Sequence, residues 1–224
     1  MADLKNLFKP ECIVNSITSY ICKRANLHPA INNHTMTHPL IKHICRYVTV
    51  PDKDIAAILS FFDTVNVAKK QNLLEEGQYS KTTYFVISGC LRMFFINEKG
   101  GEQTTQFALE DWWMSDFLAF GSHKPAVFYI QAVEKTQALA LSFEAHEALL
   151  EQFPYLEKYF RLMYQKGYGA SQQRIKYLYG MSREELYHMF ATLYPAFVQR
   201  IPQYLLASFL GFTPEYLSEI RRKK

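Results

Sequence analysis

Residues 205–224 read LLASFLGFTPEYLSEIRRKK, and the reading of this stretch decides the architecture. Leu205, Leu206, Phe209 and Leu210 are apolar at helical spacing. Pro202 can open that helix. Gly211 can stop it, because glycine takes the left-handed conformation of a helix C-terminus at little steric cost. Thr213 suits an N-cap and Pro214 the first position of a second helix, which carries Leu217 and Ile220 on one face. Ala207 is small where two helices must cross closely, and a glycine follows four residues later. This spacing fits a helix pair that enters a DNA groove. It also fits an ordinary helical hairpin, which uses the same caps and apolar faces.

Upstream the chain stays helical back to about residue 144. SREE at 182–185 is a capping box that starts a helix running to about Tyr194, before Pro195. A long helix is expected over 154–178, with Leu156, Phe160, Met163, Gly167, Ala170 and Tyr177 along one side. Gly167 and Ala170 permit close approach, so that side is the expected homodimer interface. SFEAHEALLEQF, 142–153, starts one more helix.

Before residue 144 the period changes to that of strands. VNVAKK, NLLEEG, TTYFVISG, CLRMFFIN and EQTTQFAL are short runs rich in β-branched and aromatic residues, punctuated by Gly77, Gly89 and Gly100-Gly101. NEKGGE at 97–102 is a hairpin turn by composition. AVFYIQAVE and QALALSF add two strands, and PDKDIAAILSFF at 51–62 reads as a preceding helix. Strands at this spacing suggest a barrel or double-sheet roll. The expected class is α+β: an N-terminal extension (1–36), a jelly-roll-like β-roll (37–150), a long dimerisation helix (151–180) and a helix-turn-helix unit (181–224).

Composition bounds the function. The chain has 224 residues, 49% of them hydrophobic and 15% aromatic, as in globular proteins. No run of 18 apolar residues suggests a membrane span, and MADLKNLFKPECIV lacks a signal-peptide core, so a cytoplasmic protein is expected. Cys12, Cys22, Cys45 and Cys90 fit neither a metal site nor a disulfide framework, and are expected to be reduced. His28, His34, His38 and His43 lack zinc-finger spacing, so no metal is expected. The net charge of +4 is uneven: residues 151–224 hold eleven Lys and Arg against six acids, while 46–150 hold nine against thirteen. A basic C-terminal third is either a solvated surface or a footprint for a polyanion. An enzyme is not expected. A cupin-type metal oxygenase needs His-x-His on its strands, and no His lies between 64 and 122. No G-x-S-x-G, P-loop or H-E-x-x-H occurs either.

Three segments carry a resemblance: YFVISGCLRMFFINEKGGEQT (84–104), FALEDWWMSDFLAF (107–120) and RIPQYLLASFLGFTPEYLSEIRRK (200–223). In this order they resemble the Crp/Fnr family of bacterial transcription regulators, most of all its Bacteroidetes branch. The resemblance implies a β-roll effector domain, a long dimerisation helix and a helix-turn-helix binding a near-palindromic DNA site, with RNA polymerase as a further partner. It makes helix 214–223 the recognition helix. Glu215, Tyr216, Ser218, Glu219, Arg221 and Arg222 would then face bases or backbone, and Gln203 and Thr213 phosphate. The family's Arg-Glu-x-x-x-Arg is replaced at both Arg positions, by Pro214 and Glu219, so the operator sequence does not carry over. Arg grips guanine, whereas Glu can only accept from cytosine and repels phosphate. A β-roll ligand-binding or protein-interaction module without specific DNA readout is the alternative.

In cyclic-nucleotide-binding members a Gly-Glu pair holds the ribose and an Arg-Ser or Arg-Thr pair the phosphate. Here those pairs fall near Ser115-Asp116 and Ala126-Val127, and Ala-Val cannot neutralise a phosphate. Cyclic AMP is therefore not expected as the effector. Trp112, Trp113, Met114, Asp116 and Phe117, with Ala126, Val127 and Phe128, either pack the core or line a pocket for a small apolar effector. No cofactor is expected: Cys12, Cys22 and Cys45 are too dispersed for an iron–sulfur cluster, and no His is singled out for haem.

Overall fold

The computed structural model describes residues 38–122 and 124–222. The 1–36 extension, Cys12, Cys22, His28, His34, and the Lys223 and Lys224 side chains lie outside the described residues.

Two helices, α1 (Pro39–Cys45) and α2 (Asp52–Leu59), precede the strands. Pro51 is the N-cap of α2. The strands are β1 (Asp63–Val67), β2 (Asn72–Leu74), β3 (Thr82–Ser88), β4 (Leu91–Ile96), β5 (Glu102–Ala108) and β6 (Trp113–Met114). After α3 (Phe117–Ser122) come β7 (Tyr129–Ala132) and β8 (Thr136–Ser142). They form two four-stranded antiparallel sheets, β1-β8-β3-β6 and β2-β7-β4-β5. The expected strand over 126–134 shrinks to β7. Ala126 instead exchanges backbone bonds with Gly77 and Gln78, which ties it to a turn. At the β4–β5 turn, Asn97 Oδ1 accepts from Lys99 N and Gly101 N, both at 3.0 Å, and Gly100 takes φ +76°.

The strand period of two sorts side chains into two cores. On β3, Tyr84 and Val86 face the space between the sheets with Leu91, Met114, Ile130 and Ala138. Phe85 faces the other way, beneath the helices, with Leu40, Ile55, Leu141 and Leu149. A polar triad pins the second core. Trp113 Nε1 donates to Tyr159 Oη (2.9 Å), and Tyr159 Oη meets His43 Nδ1 at 2.7 Å. Burial holds the His43 imidazole neutral, with its pKa lowered to about 3.

Next come α4 (Phe143–Gln152), capped by Ser142, and α5 (Leu156–Gly180). The capping box at Ser182 and Glu185 is formed, and α6 (Arg183–Leu193) starts there. A short α7 (Pro195–Arg200) leads to α8 (Gln203–Leu210) and α9 (Pro214–Arg222). A third core joins α6, α8 and α9 to Cys90 and Val133 of the roll. No helix among the described residues is long and apolar enough to cross a membrane.

Candidate nucleic-acid interface and roll interior

The α8–α9 turn is built as its residues require. Gly211 ends α8 in the left-handed region, φ +79°, and Phe212 N donates to Ala207 O at 2.8 Å. Thr213 Oγ1 accepts from Tyr216 N at 3.2 Å, so Thr213 caps α9. Ala207 and Leu217 are fully buried and Ile220 nearly so, which fixes the crossing of the two helices. Glu215, Ser218, Glu219, Arg221 and Arg222 are left exposed on α9. Tyr216 is half-buried, edge-on to Phe212, and the Arg183 guanidinium lies 5.5 Å from its ring centre. The Ser218 hydroxyl donates to Pro214 O of its own helix at 2.9 Å, which leaves it only as an acceptor. Gln203 is exposed at the start of α8, where no side chain caps the helix. A helix start of this kind favours an anion. Sequence reasoning missed two residues beside these: Tyr204, 50% exposed next to Gln203, and Arg183. Their only sequence signal was an aromatic beside Gln203 and a cation inside the capping box.

The last turn of α8 is tied to the roll and to α5. Ser208 Oγ donates to Glu102 O (2.7 Å) and accepts from Thr104 N (2.8 Å), which satisfies a backbone donor on the edge strand β5. Gln103 Nε2 donates to Ser208 O. From α5, Arg174 donates to Phe209 O at 2.7 Å and lies 4.1 Å from the Phe209 ring centre. Arg200 grips both oxygens of Glu110, at 2.7 and 2.9 Å, and also reaches Glu134. That grip lowers the Glu110 carboxyl to about 2. The helix-turn-helix is thus held in one orientation against β5 within its own chain.

The eight side chains proposed for an effector pocket do not converge on one cavity. Trp113 points under the helices, against Phe62, Phe85 and Phe160. Met114 and Ala126 are buried between the sheets, with Trp112 partly so. Phe117 and Val127 are exposed, and Phe128 packs edge-on to Phe95. Alternation along β6 separates Trp113 from Met114. A pocket of about 110 Å³ lies instead along 73–84, lined by Leu74, Ser80, Lys81 and Tyr84 among others.

Asp116 has a specific task. It is 2% exposed; its Oδ1 accepts from Ala119 N and its Oδ2 from Val127 N, both at 3.1 Å. One carboxylate therefore starts α3 and clamps it to the 126–127 segment. Asp116→Ala leaves both donors without that acceptor. The expected loss is about 2–3 kcal/mol of stability, read as a lower urea midpoint, with Asp116→Asn losing roughly half as much.

The proposed interface side of α5 divides. Leu156 and Phe160 are buried inside their own subunit against Phe85, Trp113 and Leu149. Met163 packs against that core and Tyr177 against the helix-turn-helix core. Of the six, Gly167 is exposed and Ala170 half-buried. The side chosen from sequence is thus consumed in part within the subunit: the roll covers Leu156, Phe160 and Met163, and the helix-turn-helix core takes Tyr177. The other face carries Tyr164, Tyr168, Ile175 and Leu178, between 41% and 68% exposed, with Ser171 between them. Positions 164, 168, 171, 175 and 178 step by four and three, the spacing of a coiled-coil seam.

Among the described residues no group of His, Cys, Asp and Glu could hold a metal. Residues 64–153 match the family described as the cyclic nucleotide-binding domain. The chain is 23% identical over 148 residues to the regulatory protein HlyX of Actinobacillus pleuropneumoniae, covering 65% of this chain. It spans 60% of that relative's length. Solved structures share the fold. A protein described as a transcriptional regulator of the Crp/Fnr family, from Eubacterium rectale, superposes with TM-score 0.62 at 15% identity, covering 78% of this chain and 83% of that one. FixK2 from Bradyrhizobium japonicum does so with TM-score 0.61 at 14% identity, covering 72% and 83%. A CooA mutant from Carboxydothermus hydrogenoformans gives 0.59 at 17%, covering 75% and 78%.

Proposed function

From a chain with the fold of the Crp/Fnr regulators, we propose a DNA-binding transcriptional regulator that acts as a homodimer and does not use cyclic AMP. The observation that carries this reading is the α8–α9 pair: an αL glycine, a capped second helix, and an outer face on which Glu215, Ser218, Glu219, Arg221 and Arg222 are exposed. In this reading α9 lies in the major groove, with Glu215, Tyr216, Ser218, Glu219 and Arg222 towards the bases. Gln203 and Tyr204 at the start of α8, with Thr213, meet phosphates. Two copies of α9 about 34 Å apart would require a near-palindromic site. The test is selection from random duplexes, with affinity measured at two salt concentrations. Enrichment of a palindrome supports the reading. Binding to no duplex at low salt defeats it and leaves a roll that serves as an interaction module.

The effector reading rests on Ala126-Val127, which offers no cation or hydroxyl to a phosphate. The Asp116 carboxylate occupies the backbone donors of Ala119 and Val127, next to the Ala126-Val127 pair where cyclic-nucleotide-binding relatives hold phosphate. The one Lys nearby in sequence, Lys124, is exposed. Calorimetry with cyclic AMP is expected to show no micromolar binding, and a micromolar isotherm overturns this part. An uncharged effector would instead be followed through Trp112 fluorescence.

A further inference from the structure

We propose that the pocket along 73–84 binds a short-chain carboxylate, a ligand unrelated to a cyclic nucleotide. Ser80 is 3% exposed and lines this pocket, and its Oγ has no hydrogen-bond partner among the described residues. A buried hydroxyl left unpaired costs free energy, and native proteins rarely keep one without a water or a ligand to meet it. The pocket offers about 110 Å³ to that partner. An apolar cavity of about 150 Å³ holds a benzene ring, so this space suits a molecule of roughly four to six non-hydrogen atoms.

The lining sets the charge of the ligand. None of the lining residues is acidic, and Lys81 is exposed with no ion pair among the described residues. Glu75 and Glu76, the nearest acids in sequence, lie outside the lining, and Glu75 Oε1 accepts from Asn72 Nδ2 at 2.9 Å. Gln78 Oε1 accepts from Glu75 N, which leaves the Gln78 amide N–H groups to donate. With Ser80 Oγ–H and the Lys81 ammonium they make a set of donors, and a carboxylate is an acceptor at both oxygens. A neutral amide of the same size meets the same hydroxyl without the attraction of Lys81. Leu74 and the Tyr84 ring are buried and line the same space, which gives a short alkyl tail an apolar wall. The Tyr84 hydroxyl is already spent on Leu73 O, 3.3 Å away.

The pocket wall is laced to the segment that Asp116 clamps. Gly77 N donates to Ala126 O at 2.9 Å, Ala126 N to Gln78 O at 2.7 Å, and Ser115 Oγ to Thr82 O at 3.2 Å. A ligand held by Gln78 and Ser80 therefore ties down 77–82 and stabilises the roll around α3. This site requires neither the DNA reading nor the α5 dimer.

The test is calorimetry of the full chain at pH 7, with ionic strength held constant by sodium chloride. Propionate is the probe, and propionamide and benzoate are the controls. Propionate is expected to bind with a dissociation constant of about 1 mM or tighter, within reach of a ligand of about five non-hydrogen atoms. Propionamide, equal in size and uncharged, should bind at least threefold more weakly, and benzoate, with about nine such atoms, is too large to enter. Lys81→Gln should weaken propionate at least threefold and leave propionamide unchanged, as an exposed cation acts on charge alone. Ser80→Ala should weaken both ligands at least tenfold. It should also raise the melting temperature of the free protein, because an unpaired buried hydroxyl is gone. Lys135→Gln removes an exposed lysine outside the pocket and should change nothing. Equal binding of acid and amide, or propionate binding that survives both Ser80→Ala and Lys81→Gln, overturns the inference. No heat up to about 50 mM propionate overturns it too, and leaves water to meet Ser80.

Discussion

Ile175→Glu is expected to leave the protein monomeric at micromolar concentration and to reduce affinity for a palindromic duplex by at least a hundredfold. Ile175 is 55% exposed and occupies a seam layer of α5. In a two-fold dimer this side chain meets its own symmetry mate, so one substitution sets two carboxylates face to face in an apolar contact. Burying unpaired charge costs far more than the lost methyl groups. The variant still folds, because the site is solvent-facing within one subunit and Glu is a good helix former. The DNA effect follows from linkage of half-sites: joining two weak readers multiplies their affinity by about 10²–10⁴, and monomers lose that factor. Sedimentation and a mobility-shift titration together make the measurement. A dimeric variant with parental affinity would show that the seam lies elsewhere.

Replacing Arg221, Arg222, Lys223 and Lys224 together with Ala is expected to weaken binding to every duplex by tenfold or more. Cations displace counterions from phosphates, and each phosphate contact contributes about 0.9 to the slope of log K against log salt. A helix turns only some of its side chains to one side, so a dimer should lose roughly two to four contacts. The slope should flatten by a similar number. Glu219→Arg should do the opposite. Glu219 is exposed one turn after Glu215 on the side of α9 proposed to face the groove, where a carboxylate repels phosphate and can accept only from cytosine. An Arg there can grip guanine, tightening binding by about 1–3 kcal/mol and shifting preference towards G. Parental specificity that collapses in Glu219→Arg would mark Glu219 as a base reader. An unchanged salt slope in the fourfold Ala variant would remove the tail from the interface.

The helix-turn-helix was readable because its signals are local. Gly211, Thr213 and Pro214 act on their own backbone and on neighbours within four residues, and each takes the expected role. The same holds for the capping box at Ser182 and for the β4–β5 turn at Asn97. The short α3 was not readable. DFLAFGS offers one apolar turn and no strong period, and the helix depends on Asp116, which is held in turn by Val127, eleven positions on.

By itself, then, the sequence determined where strands give way to helices, to within a few residues where α2, α4, α5, α6, α8 and α9 start and stop, and which residues stand on the outer side of α9. Those choices depend on backbone preference and side-chain period over a few residues. Only the tertiary structure decided which apolar face of α5 is consumed inside the subunit, because that depends on contacts between distant segments. His43 and Tyr159, bonded across 116 positions, draw the first turns of α5 under the roll and bury Leu156 and Phe160. Thr104 and Ser208, 104 positions apart, set the helix-turn-helix on β5. Among the described residues Tyr164, Tyr168, Ile175 and Leu178 stay exposed, the side of α5 proposed here for a second copy, and no period within α5 distinguishes it from the face already spent.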